Sequence, residues 1–111
     1  TGLTIRKYIL NAKKGNLNLR LFTGTVGDRI DIKQGDRYIF STGSIMPDYL
    51  YPKCKGTNSP AEGFIATGDF PFSPMDFSIP YDPAKGNELT LYGLGSCNDS
   101  STEWYAILTC P

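Results

Sequence analysis

With 111 residues, 40% of them apolar, and eleven basic residues against eleven acidic ones, the chain can bury about two-thirds of its unfolded surface as one domain, residues 1–111. No stretch nears the ~18 apolar residues of a membrane span. Histidine is absent, which removes Ser-His-Asp and Cys-His catalysis and nearly every zinc hydrolase.

The first predicted strand, Leu3 to Leu10, is rich in β-branched and aromatic residues. Lys13-Lys14-Gly15-Asn16 reads as a tight hairpin turn. Leu17, Leu19 and Leu21 then alternate with Asn16, Asn18 and Arg20, and Ile30 and Ile32 alternate with Arg29, Asp31 and Lys33. That two-residue period marks strands with one wet face. Lys33-Gln34-Gly35-Asp36 turns the chain into a strand over Arg37 to Ser41.

Pro47, Pro52 and Pro60 restrict Tyr49-Leu50-Tyr51 to an edge strand or an extended loop. A strand over Phe64 to Thr67 follows. From Asp69 to Pro83 the chain packs Pro71, Pro74, Pro80 and Pro83 among Phe70, Phe72, Phe77 and Tyr81, a stiff segment that costs little entropy to order. Within it Met75, Phe77, Ile79 and Tyr81 form one face of a strand, and Asp82 to Asn87 has room for one helical turn. Leu89 to Leu94 and Glu103 to Thr109 read as a hairpin across Asn98-Asp99-Ser100-Ser101. Twelve glycines and eight prolines leave no window for a three-turn amphipathic helix. The predicted architecture is an antiparallel β-sandwich of about eight or nine short strands, with a small closed barrel as the alternative.

Charge is unevenly placed along the chain. Up to Lys55 there are ten bases and four acids, a net of +6; from Gly56 onward Lys85 stands against seven acids, a net of −6. If neighbours in sequence stay neighbours in space, a basic surface forms around Lys13, Lys14 and Arg20 and an acidic one around Asp69, Asp76 and Asp82. Interleaved strands would instead neutralise the two halves.

Cys54, Cys97 and Cys110 lack Cys-x-x-Cys spacing and suggest one disulfide and one odd thiol in a small secreted protein. In the predicted final hairpin Cys97 lies beside the loop and Cys110 at the far end. They are then ~25 Å apart at ~3.4 Å per residue, against the ~4.4–6.8 Å that a disulfide spans. Cys54 is the expected bridge partner, of Cys97 or alternatively of Cys110. The chain begins at Thr1 with no charged segment followed by an apolar one, the start expected where a leader has been removed or the sequence trimmed.

Glycosidase chemistry needs only two carboxylates. Asp28 and Asp31, three apart in one strand, point to opposite faces, while Asp69, Asp76 and Asp82 accompany the aromatic segment; a two-carboxylate hydrolase is the third reading of function. No glycine-rich phosphate loop and no calcium loop are present. The bases Arg6, Lys7, Lys13, Lys14 and Arg20 are separated from most aromatics, so no nucleic-acid partner is expected. Asn98-Asp99-Ser100 is a glycosylation sequon on the predicted hairpin tip, or an Asx turn. Tyr49, Tyr51, Phe70 and Phe72 fall in irregular segments and are candidates for a recognition surface.

In its length, its start at Thr1, its sparse cysteines Cys54, Cys97 and Cys110 and its dense short strands, the chain resembles the small secreted β-sandwich proteins that fungi release as effectors or elicitors of plant defence. The resemblance implies an extracellular, non-enzymatic protein whose surface is read by a host component, and it transfers no functional residue. The expected function is therefore a secreted interaction protein, not an enzyme, without cofactor or metal and monomeric or dimeric. It would recognise a protein or a cell-surface glycan through Tyr49, Tyr51, Phe70 and Phe72 or through Lys13, Lys14 and Arg20. A lectin-like, carbohydrate-binding domain is the second reading.

Overall fold

A computed structural model describes residues 3–24, 27–43, 65, 67, 73–95 and 104–111. The seven strands are β1 (Leu3–Ile9), β2 (Gly15–Phe22), β3 (Asp28–Gln34), β4 (Arg37–Ser41), β5 (Met75–Tyr81), β6 (Glu88–Gly95) and β7 (Tyr105–Thr109), with a 3-10 turn over Pro83–Lys85. They form two antiparallel sheets, ordered β1-β6-β3-β4 and β5-β2-β7. The sheets stay open at their edges and face each other as a β-sandwich.

The alternation in the sequence decides which side chains meet between the sheets. Leu17, Leu19 and Leu21 of β2 and Ile79 and Tyr81 of β5 oppose Ile30 and Ile32 of β3 and Leu89 and Leu91 of β6. Burying each of these large side chains contributes about 1.5–3 kcal/mol. Pro80 is tolerated because β5, among the described residues, is an edge strand bonded only to β2. The β3–β4 hairpin turns at Gly35, whose φ of 62° favours glycine, and the register shifts at Ile32/Lys33. The alternative of a closed barrel is excluded by the two separate strand orders.

Two local expectations are corrected. Glu103 to Thr109 does not return along Leu89 to Leu94: β6 is flanked by β1 and β3, so the chain crosses to the other sheet and β7 pairs with β2. The 25 Å separation of Cys97 and Cys110, which assumed that hairpin, falls with it. Lys13 to Asn16 is likewise a crossing between sheets rather than a hairpin turn. Of Phe64 to Thr67, Ile65 and Thr67 are described, and Ile65 bridges to Asp28. No disulfide occurs among the described residues, where Cys110 is an exposed thiol. Cys54 and Cys97 lie outside the described residues.

Consecutive strands change sheet at every step except β3 to β4. Basic strands from the first half therefore sit beside acidic ones from the second. Among the described residues, three ion pairs join the halves: Lys7–Glu88 at 3.9 Å, Lys14–Asp82 at 4.0 Å and Arg20–Asp76 at 2.9 Å. The separate basic and acidic surfaces expected around Arg20 and Asp76 are one neutralised patch.

At one end of the core the Trp104 ring lies against Gly93 of β6, where a β-carbon would overlap it, and the Arg6 guanidinium sits 5.4 Å from the ring centroid. A Gly93→Ala substitution is expected to displace the ring and cost about 1–3 kcal/mol. Trp104 is the chain's one tryptophan, so red-shifted fluorescence in a folded but less stable variant checks this. Unchanged emission and stability would contradict it.

Candidate functional site

At the opposite end of β6 from Trp104, the ends of several strands enclose a cleft of about 490 Å³, within the size range of small-ligand sites. The start of β2 supplies Lys14 and Asn16, the β3–β4 hairpin Gln34, Arg37 and Tyr38, the end of β5 Tyr81, and the 3-10 turn Asp82 and Lys85.

Local structure holds this rim. Asp82 caps the turn, accepting from the Ala84 amide at 3.0 Å. The Gln34 side-chain amide donates to the Asp82 carbonyl at 2.7 Å and the Gly86 carbonyl at 2.6 Å, tying the β3–β4 hairpin to the β5–β6 connection. Gly86 has φ 113°, a conformation that disfavours a side chain. Gly15 admits Pro111 so closely that a β-carbon would stand 2.7 Å from the proline ring.

The lining is electropositive, with Lys14, Arg37 and Lys85 facing one acid, Asp82, which already caps the turn and lies 4.0 Å from Lys14. Tyr81 is 2% exposed, and its hydroxyl is buried without a hydrogen-bond partner among the described residues. A buried unpaired hydroxyl costs free energy. A ligand that reached it would recover that cost.

Of the sequence-predicted residues, Lys14 belongs to the cleft, while Lys13 is exposed outside its lining. Arg20 is elsewhere, on the outer face of the three-stranded sheet, where its Nε and Nη2 donate to Asp76 at 2.9 and 3.1 Å. Hydrogen bonds from Arg20 and Asn18 hold the Asp76 carboxyl below the usual carboxylate range, the opposite of what a general acid requires. Tyr49, Tyr51, Asp69, Phe70, Phe72 and Asn98 lie outside the described residues. Sequence reasoning missed Arg37, Tyr81 and Lys85, because each sits in a separate segment and only the sandwich's end brings them together. The glycines Gly35 and Gly86 beside them mark turns, a faint pointer to the rim.

Among the described residues no cluster of acids and cysteines could hold a metal ion, and no helix is long and apolar enough to cross a membrane. No protein-family model, curated protein or solved structure matches this chain.

Proposed function

We propose that this protein is a secreted, non-enzymatic recognition domain that binds an acidic saccharide in the end cleft. The observation that carries the reading is the convergence of Lys14, Arg37 and Lys85 on one cleft whose lining holds a single acid, Asp82. Sulfate or carboxylate groups would meet the three cations through charge-assisted hydrogen bonds, and sugar hydroxyls would meet Asn16. Binding is favoured over hydrolysis because the one acid of the lining, Asp82, is engaged in capping.

Calorimetric titration with a sulfated disaccharide should show binding that weakens with ionic strength, and its unsulfated counterpart should bind at least about tenfold more weakly. Arg37→Gln and Lys85→Gln should each weaken the sulfated ligand about tenfold, while Lys13→Gln leaves it unchanged. Tyr81→Phe should stabilise the free protein by about 1 kcal/mol. Equal affinity for both disaccharides, or loss on changing Lys13 alone, would sink the reading.

A further inference from the structure

Among the described residues the two sheets are unequal, four strands against three, and the surplus strand is β1. Arg6 pairs across β1–β6 with Leu91, and Tyr8 with Leu89. Directly paired residues project from the same face of a sheet, and Leu89 and Leu91 face the core. Arg6 and Tyr8 therefore point toward the other sheet, yet both are exposed, Tyr8 by 38%. Among the described residues no strand packs beneath them.

The strand that stops short of that space is β7. Trp104, which leads into it, contacts Gly93 of β6 and lies under Arg6 of β1, so β7 runs beneath β6 and its outer edge, unpaired among the described residues, opens below β1. Proteins commonly guard such edges with charges, prolines or bulges. Here β1 carries Arg6 and Lys7, β4 carries Arg37 and faces a register shift, and β5 carries Asp76 and Pro80. The fourth edge, β7, is Tyr-Ala-Ile-Leu-Thr, without charge or proline, and exposes Tyr105 by 64% and Ile107 by 54%.

We infer that the free edge of β7 accepts an extended peptide strand from another protein, one with a carboxylate side chain that pairs with Arg6. A second copy does not fit. Antiparallel pairing of β7 with itself about a two-fold axis sets both four-stranded sheets on the same side, where each β1, reaching one strand spacing (~4.8 Å) past β7, would occupy the place of the other copy's β6. A single strand meets no such obstacle, and it completes the three-stranded sheet beneath β1 by main-chain hydrogen bonding. The charge preference follows from Arg6, which forms no ion pair among the described residues and is held over Trp104. This peptide surface is separate from the saccharide cleft and stands or falls independently of it.

The test is an amide NMR titration of the whole chain with the capped heptapeptide Val-Thr-Val-Glu-Val-Thr-Val and its Lys-for-Glu counterpart. Shift changes and new exchange protection are expected at Tyr105–Thr109, with the Glu peptide binding about fivefold more tightly. Arg6→Glu should invert that preference. Protection at the outer edge of β1 instead, indifference to the peptide's charge, no binding of either peptide, or a dimer whose β7 amides are protected without peptide would each overturn the inference.

Discussion

An Asp28→Asn variant is expected to be more stable than the parent protein at pH 8 by about 4 kcal/mol and to lose most of that advantage by pH 4. Asp28 begins β3 in phase with Ile30 and Ile32, so its side chain faces inward. It is fully buried, and neither carboxylate oxygen has a hydrogen-bond partner among the described residues. The backbone fixes it there, paired both ways with Ile65 at 3.1 and 3.0 Å, beside a clamp in which Thr23 and Thr67 exchange hydrogen bonds.

Burial without a hydrogen-bond partner pushes the Asp28 carboxyl up from 3.8 to about 7, because the water lost by the charged form outweighs the attraction of the amino terminus. Below pH 3.8 the carboxyl is protonated in the folded and unfolded chains alike, and its contribution to stability is fully present. As pH rises toward 7 the unfolded chain releases its proton first, so the folded state loses stability across that window. At about 1.4 kcal/mol per tenfold change in proton affinity, the interval amounts to ~4 kcal/mol. Asparagine keeps the shape and removes the ionisation. Denaturant unfolding of both proteins from pH 4 to pH 8 checks this. Parallel stability curves would mean that Asp28 finds a partner in solution and ionises normally.

The position of Asp28 also shows how far the sequence could be read. Alternation in β2, β3 and β5 was enough to place Leu17, Leu19, Leu21, Ile30, Ile32 and Ile79 inside, and to set Asp28 and Asp31 on opposite faces, because a period of two is a local property of the backbone. Pairing between distant strands is not local. Only the β3–β4 hairpin, pinned by Gly35, carried its own partner; β6 and β7, though close in sequence and separated by a polar loop, belong to different sheets.

That same connectivity undid the charge segregation. A chain that crosses between sheets after almost every strand places Arg20 opposite Asp76, Lys7 by Glu88 and Lys14 by Asp82, so charges from the two halves pair in space among the described residues. The cleft was legible only in Lys14. Arg37 and Lys85 look like ordinary turn charges, and Tyr81 like one more core aromatic. Nothing local marks a hydroxyl that burial will leave unpaired.

Arg29→Met should be the most damaging single substitution of a charged residue, costing about 3–5 kcal/mol. Arg29 and Asp31 are two apart in β3 and share its outer face, yet their side chains are only 6% and 0% exposed. The guanidinium donates to both carboxylate oxygens, Nε to Oδ2 at 2.9 Å and Nη2 to Oδ1 at 3.2 Å, and Nη2 reaches the Ser41 hydroxyl on β4 at 3.1 Å. This two-pronged geometry balances two desolvated charges. Methionine fills similar space but leaves the Asp31 carboxylate without its guanidinium where water does not reach, and the penalty is that of an uncompensated buried charge rather than a lost contact. The contrast with Asp28 is direct: two buried acids three residues apart, one tied to a cation and one pushed by burial toward its protonated form. The discriminating experiment adds Asp31→Leu to Arg29→Met. If desolvated charge is what matters, the double variant should recover most of the lost stability despite removing the whole pair. If the guanidinium instead acts by joining β3 to β4 through Ser41, the double variant will be as unstable as Arg29→Met alone.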